Sequence, residues 1–462
     1  MKIIVFDDDP TGSQTVHSCT LLLQWDKDQL VNAIKNNSLL FILANTRSLT
    51  TDLAEKRTRE ICQVLLSSLK ENKLLLEDVF IVSRGDSTLR GHGFLEPNTI
   101  NKELGPFDGT FHIPAFFEGG RLTIKGIHLL NNIPVHKTSF AEDKIFGYST
   151  SFLPDWLEEK SNGQIKADNV NILSIDKLEN ARNSYEGMKA LIKELSMLSS
   201  NQPVIVDATE TSHLDTLCYA VKKLKGKKRF LFRSSASFIN SLANIRSDIN
   251  KGKEFLFLSS PVIKSEIKPG LIIVGSYVPL ANKQLKVLLR QEECLGVQLP
   301  VKKVLQIFEE QISEELILNF EKILIDKINN ILNQNKTPVF YTSREELEFS
   351  SQLNRMEFGN FLANFMAKVA SKVVDRLGYI ISKGGITTNN LLTEGFKAKY
   401  INLKGQIMPG LSLVCLPKKT FKTEFPIITF PGNLGDQDTL CKAWKIMESK
   451  LEHSSYLESI NN

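Results

Sequence analysis

Cysteine is scarce in this chain, with six in 462 residues at positions 19, 62, 218, 294, 415 and 441. None forms a CxxC pair and none has a histidine at ligand spacing, so a disulfide framework and a zinc site are both excluded. Long apolar runs are missing as well. Met1-Lys2-Ile3-Ile4-Val5-Phe6 is apolar, but Asp7, Asp8 and Asp9 end it far short of a signal peptide's hydrophobic region. No stretch of ~18 apolar residues announces a transmembrane helix. The expectation is a cytoplasmic protein with no membrane partner. Charge of one sign is also lacking: a formal net charge of +5 over this length gives no reason to invoke nucleic acid. The local exception is Lys222–Arg229, where six of eight residues are basic; lying just before the apolar run Phe230–Phe232, it reads as a solvated helix end.

The familiar short motifs are absent too. There is no GxxxxGK followed by Ser or Thr, and no GxGxxG after a strand, so neither standard nucleotide fingerprint is available. HExxH, GxSxG and calcium-loop patterns are missing, which removes the simplest support for zinc hydrolysis, serine-triad hydrolysis and calcium sensing. Internal repeats and low-complexity tracts are not found.

What is present is a globular composition, 42% hydrophobic and 24% charged, on a chain too long for one core of ~250–300 residues, so two domains are expected. Short aliphatic runs recur between longer amphipathic stretches: Ile3–Phe6, Leu39–Ala44, Val79–Val82, Val204–Val206, Phe230–Phe232, Leu271–Val274, Pro338–Tyr341, Tyr379–Ser382 and Ile427–Phe430. Phe358, Phe361, Leu362, Phe365, Val369, Val373 and Leu377 make the clearest helical stripe. This alternation predicts an α/β fold of two domains with mainly parallel sheets. Domain boundaries are expected at 1–238 and 269–462, with the polar, Lys-rich segment 239–268 as linker or hinge, and the polar tail from about Lys450 is expected to fray.

Ligands of parallel sheets bind where the carboxyl ends of strands lead into the next helix, so the tails of these runs matter most. In the first half they are Asp7-Asp8-Asp9-Pro10-Thr11-Gly12, Asn45-Thr46-Arg47 and Ser83-Arg84-Gly85-Asp86-Ser87-Thr88, rich in carboxylates, guanidinia and hydroxyls. Arg47 and Arg84 offer paired donors that match a carboxylate, or else make structural ion pairs. Asp86 and the Asp8-Asp9 pair could accept hydrogen bonds from substrate hydroxyls, one of them taking a proton, although Asp9-Pro10-Thr11-Gly12 also reads as a capped turn. In the second half the tails are Gly275-Ser276, Lys383-Gly384-Gly385-Ile386-Thr387-Thr388 and Pro431-Gly432-Asn433-Leu434-Gly435-Asp436. Glycine here would let backbone N–H groups approach phosphate oxygens, with an ordinary tight turn as the alternative. His17, His92 and His112 lie near the first set without metal-site spacing, and the Pro114–Arg121 turn adds Glu118 and Arg121.

At these residues the chain resembles the four-carbon acid sugar kinase family, which includes threonate, erythronate and 3-oxo-tetronate kinases. Asp8-Asp9-Pro10-Thr11-Gly12 is similar to the family's opening motif, Asn45-Thr46-Arg47-Ser48 to its next turn, and Asp86-Ser87-Thr88-Leu89-Arg90-Gly91 to its Asp-Ser-Thr-Leu-Arg-Gly. Pro114 to Arg121, Pro134-Val135 and Phe146-Gly147-Tyr148 also resemble it. In the second half the likeness lies in Gly275-Ser276, Tyr341-Thr342-Ser343-Arg344-Glu345, Ser382 to Thr387, Gly405 to Gly410 and Gly432 to Gly435. Three places depart from the pattern: Asp7 and Pro10 around the opening pair, Arg84 where Lys is common, and the Pro431–Asp438 stretch.

The resemblance implies an N-terminal domain that binds a sugar acid and a C-terminal domain that binds ATP, facing each other across a cleft. Asp8, Arg47, Arg84, Gly85, Asp86 and Ser87 would hold the acceptor, and Ser276, Gly384, Gly385, Ile386, Thr387, Gly432, Asn433 and Gly435 would hold ATP. Asp8 or Asp9 would orient or deprotonate the hydroxyl, with Mg²⁺ bridging the phosphates through ligands not identified; Asp436 and Asp438 are candidates that also read as helix caps. The partners would be small molecules, with a homo-oligomer left open. An ATP-dependent ligase acting on a carboxylate, or a non-catalytic nucleotide or sugar-acid sensor, is the alternative.

Overall fold

The computed structural model describes residues 2–12, 15–245, 251–259, 268–345, 347–417 and 424–448. Contacts divide the chain into two units, Met1–Ser247 and Asp248–Asn462, each with its own run of strands.

In the first unit Ile3-Ile4-Val5-Phe6 becomes β1 (Lys2–Asp7), buried from Ile3 onward. Such a strand is covered on both faces, which is why it reads as an unbroken apolar run and not an alternation. It is followed by β2 (Cys19–Leu22), β3 (Leu39–Leu43), β4 (Val79–Arg84) and β5 (Gly109–Ile113). A small antiparallel sheet comes next, β6 (Arg121–Ile124), β7 (Ile127–Leu130) and β8 (Ile133–Pro134), and then β9 (Asn171–Leu173), β10 (Gln202–Val206) and β11 (Phe230–Ser234). The main sheet runs β2-β3-β1-β4-β11-β5-β10-β9, and every pairing in it is parallel. Because β1 is flanked by β3 on one side and β4 on the other, the strand order reverses there. That crevice is where a parallel sheet receives ligand.

The second unit is built from β12 (Leu271–Val274), β13 (Cys294–Leu299), β14 (Thr337–Thr342), β15 (Ile380–Lys383), β16 (Tyr400–Met408), β17 (Leu411–Leu416) and β18 (Phe425–Phe430). The order is β13-β14-β12-β15-β18-β17-β16. Its first five strands are parallel, and the last two are added as an antiparallel ribbon. Ile272, Val274, Ile381, Ile428 and Phe430 pack with Leu440 and Trp444 of the final helix into one core. The helix Gln352–Ser371 carries the Phe stripe. Phe365 stacks on Phe320, and Phe358 and Phe361 meet Phe308 edge-on, the offset geometries aromatic rings favour. Val373 and Leu377 lie beyond the helix end, still buried.

The fold is therefore α/β, two units with mainly parallel sheets. In the expected linker 239–268, the helix Ala236–Ala243 is buried up to Leu242 and Lys251–Ser259 forms another helix. Residues 246–250, 260–267 and the tail from Lys450 lie outside the described residues. Among the described residues no helix is long and apolar enough to cross a membrane. The basic run Lys222–Arg229 closes the helix Thr211–Lys223 and is largely exposed.

Candidate functional site

At the β1 switch point of the first unit, two guanidinia converge on one carboxylate. Arg47, in the turn after β3, donates to Asp8 through Nε (3.2 Å) and Nη2 (2.8 Å). Arg84, the last residue of β4, donates through Nη1 at 2.9 Å. Burial alone would raise the Asp8 pKa; the Arg47 and Arg84 charges outweigh it and hold Asp8 below the usual carboxylate range. Asp9 turns the other way, accepting from the backbone N–H of Thr11 at 2.8 Å and from its hydroxyl, with Arg47 Nη1 at 3.7 Å. The capped turn and the acid–base site expected at Asp9-Pro10-Thr11-Gly12 thus share residues. Gly12 comes so close that a Cβ there would lie 2.3 Å from both Arg84 Nη1 and Asp7 Oδ1.

Asp7 is fully buried, 3.5 Å from Arg84 Nη1. Its environment differs from that of Asp8: desolvation dominates, Arg84 offsets it only in part, and the carboxyl is pushed up to about 7. One of its oxygens has no partner.

Behind this cluster a second layer fixes the turns. Arg233 of β11 donates to Ser83 Oγ at 2.8 Å and to Glu96, whose other oxygen accepts from Thr46. Asp86 accepts from Arg90 Nε (2.8 Å) and Thr88 Oγ1 (2.5 Å). Against the upward push of burial, Arg90 and Arg47 hold Asp86 far below the carboxylate range. Ser87 presents its carbonyl to His128 Nε2 at 2.8 Å, and burial brings that imidazole down to about 4. His112 is likewise neutral, lowered to about 3 by burial and by Arg233. Gly85, Asp86, Arg90, His112 and Arg233 line a small cavity of about 30 Å³, room for one or two waters. Arg121 is buried near Asp86 with its Nε unpaired.

The first-half residues singled out from sequence, Asp8, Asp9, Arg47, Arg84, Gly85, Asp86 and Ser87, are thus brought together by the ends of β1, β3 and β4. Two histidines fall away from this cluster: His17 lies with Ile3 and Leu39 at the opposite, amino ends of the strands, and His92 is held by the Leu49 carbonyl against Phe146. The sequence by itself assigns no role to Asp7, Glu96, His128 or Arg233. Asp7, His128 and Arg233 carry the one signal of lying at or beside a strand end, and Glu96, in the first turn of the helix Leu95–Leu104, carries none.

In the second unit the glycine turns follow three adjacent strands, β12, β15 and β18. Gly384 has φ +121°, a conformation L side chains rarely adopt, and a Cβ at Gly432 would sit 2.9 Å from Ser276 Oγ. Gly275 is crowded in the same way by Thr387. Ser276, Gly384, Gly385, Thr387 and Gly432 therefore form one edge, with Ile386 exposed beside it. Gly435 packs on Thr439 instead, and Asp436 accepts from Thr439 Oγ1 at 2.7 Å at the start of the last helix, the capping arrangement.

Two basic side chains border this edge. Lys383, fully buried, donates to the carbonyls of Pro431 (3.1 Å) and Gly432 (3.2 Å), and burial lowers it to about 7. Arg344 donates from Nη1 to the Ser276 carbonyl at 2.7 Å, while its Nε and Nη2 have no partner. Narrow glycine turns flanked by basic side chains fit a polyphosphate. A metal is harder to assign: among the described residues the one cluster of metal-ligand type is Glu179, Glu210 and His213, in the first unit, where Arg182 pairs with both acids.

Comparison with known proteins agrees with this division. Residues 3–242 match a family described as a sugar-binding N-terminal domain, and residues 271–440 one described as a nucleotide-binding C-terminal domain. The chain is similar to a D-erythronate kinase of Heliobacterium modesticaldum, 20% identical over 482 residues that cover 98% of this chain and 99% of the relative. In fold it is similar to the crystal structure of a Haemophilus influenzae protein, with TM-score 0.59, 17% identity and coverage of 97% and 100%. It is also similar to a Salmonella typhimurium LT2 protein provisionally called a tRNA synthase, with TM-score 0.66, 16% identity and coverage of 96% and 98%. At such identities the structural likenesses speak for the fold. With both domain families matched in order along nearly all of its length, the chain belongs to the four-carbon acid sugar kinase family.

Proposed function

We propose that this protein transfers the terminal phosphate of ATP to a hydroxyl of a small, four-carbon-like sugar acid such as erythronate, threonate or a 3-oxo-tetronate. The observation that carries the reading is a contrast in charge. At the strand ends of the first unit the arginines are matched to carboxylates, Arg47 and Arg84 to Asp8 and Arg90 to Asp86, a lattice that suits an acid bearing several hydroxyls. At those of the second unit two basic side chains border glycine turns, held by backbone carbonyls and, among the described residues, ion-paired with no carboxylate, which suits phosphate. The likeness to a D-erythronate kinase supports the acceptor class.

Phosphoryl transfer asks a protein mainly for in-line positioning and charge neutralisation. Arg47, partly exposed, receives the acceptor carboxylate, and Asp8 aims it. Arg84, buried behind Asp8, holds that aspartate in place, while Gly85, Asp86 and Ser87 shape the adjoining turn. Asp9, with one oxygen committed to Thr11, is placed to orient the hydroxyl or take its proton. Ser276, Gly384 to Thr387, Gly432 and Asn433 hold ATP, with Gly435 packed on Thr439 to end the turn. Mg²⁺ bound with the nucleotide would supply charge neutralisation.

The test is ADP release by the full chain with ATP, Mg²⁺ and each of the three acids in turn, beside a thermal-shift screen of the same ligands. ADP that forms only when one acid is present supports the kinase. Stabilisation by both ligands without ADP would replace it with a sensor.

A further inference from the structure

Lys383 is a lysine in an unusual place. It ends β15, next to the Gly384 turn, and is fully buried. Buried ammonium groups normally meet a carboxylate, because an isolated charge in the interior is costly. Here the groups that meet the amine are two backbone carbonyls of the turn after β18, at 3.1 and 3.2 Å, and the Phe430 ring of β18 at 3.8 Å. Among the described residues no charged side chain from β12, β18 or the turns acts on it, and burial is the one cause of its lowered pKa, about 7.

The second observation is independent. Arg344, beyond β14, is anchored by one nitrogen to the Ser276 carbonyl, while its Nε and Nη2 are buried and unpartnered. Ser276 in turn lies against Gly432, whose carbonyl Lys383 holds. Lys383, the 431–432 turn, Ser276 and Arg344 are thus a contiguous chain of contacts carrying two basic side chains, neither of them ion-paired with an acid among the described residues. In the first unit the comparable arginines are matched to acids.

Resting on the nucleotide-binding reading of this unit, we propose that Lys383 and Arg344 supply the positive charge that receives the polyphosphate, and that Lys383 takes up a proton as the anion binds. Arg344 contributes the N–H donors of its two unpartnered nitrogens directly. Lys383 is a positioning residue: it secures the turn and supplies its charge from behind. The neutral amine gains one proton from the buffer, and the new ammonium is balanced by the phosphate charge, so both costs of burial are met at once.

The experiment is isothermal titration of the full chain with Mg²⁺ and the non-hydrolysable analogue adenylyl imidodiphosphate, in two buffers of different ionisation enthalpy, at pH 8 and pH 6. Close to one proton is expected to be taken up per ligand at pH 8. At pH 6, where Lys383 is already charged, uptake should nearly vanish. Lys383→Met should bind about 10- to 100-fold more weakly and lose the uptake at pH 8, an effect that a purely turn-securing role would not produce. Arg344→Gln should weaken binding while keeping the uptake. Equal proton uptake at both pH values, or wild-type affinity and uptake in Lys383→Met, overturns the proposal while nucleotide binding stands. A wild-type chain that binds neither the analogue nor inorganic tripolyphosphate overturns the nucleotide reading and this inference together. Should Lys383→Met not fold, the wild-type pH series and Arg344→Gln decide the matter.

Discussion

Asp8 and Asp7 are adjacent in sequence and opposite in state. Arg47 and Arg84 keep Asp8 ionised, while desolvation raises its neighbour to about 7. Asp7 and Arg84 are two of the places where the chain departs from the family's pattern, and the structure puts them in contact at 3.5 Å. The extra buried acid lies beside an arginine that offsets its burial only in part, a pairing that neither position reveals alone. The sign of the pH effect follows from linkage. An acid whose folded pKa is raised contributes stability that is present below its unfolded value near 4 and is lost as pH climbs to about 7. Asp7→Asn, which has no charge to bury, should therefore gain stability relative to wild type between pH 5 and 8; denaturant melts at both pH values measure it, and a constant difference would mean that Asp7 does not titrate there. Asp8→Asn removes the negative charge that Arg47 and Arg84 share and one of the two oxygens that aim Arg47. We expect turnover to fall by about 100-fold or more with the fold retained by circular dichroism, and an unchanged turnover number would take Asp8 out of the chemistry. Strand-end position makes Asp8, Arg47 and Asp86 legible in the sequence. Lys383 stands there only as part of a glycine motif, because nothing in a sequence tells a buried amine from an exposed one.

At the scale of elements, each of the nine apolar runs lies in or overlaps a strand, since buried parallel strands need continuous apolar sequence. Two of the strands that the sequence conceals carry polar residues among the apolar ones. Cys294–Leu299 is the β13 edge, with Gly296 and Gln298 exposed, and Gly109–Ile113 includes Thr110 and His112, both buried. The helix Ala236–Ala243 is hidden in the expected linker by its Ser and Asn content, although residues 236–242 are buried. Glycine separates structural from functional positions. Gly359 lies in the Phe-striped helix, and a Cβ added there would meet nothing within 4 Å, so Gly359→Ala should stabilise by about 0.5–1 kcal/mol without altering activity, as a melt and an ADP assay would show. At Gly432, where Ser276 Oγ waits at 2.9 Å, valine should displace the turn and abolish nucleotide binding.

For the whole molecule, each unit is assigned one ligand. Binding to the native state raises the melting temperature according to ligand concentration over Kd. Arg47→Met should therefore lose the thermal shift produced by the sugar acid and keep that produced by the ATP analogue, and Gly432→Val should do the reverse; loss of both shifts in either variant would contradict the division. The most direct measurement is phosphorus NMR of the products after the wild-type chain is incubated with Mg²⁺, ATP and erythronate, threonate or a 3-oxo-tetronate. A phosphate ester and ADP in equal amounts are expected with at least one of these acids. Free phosphate, or AMP with pyrophosphate, in place of the ester would contradict the kinase assignment.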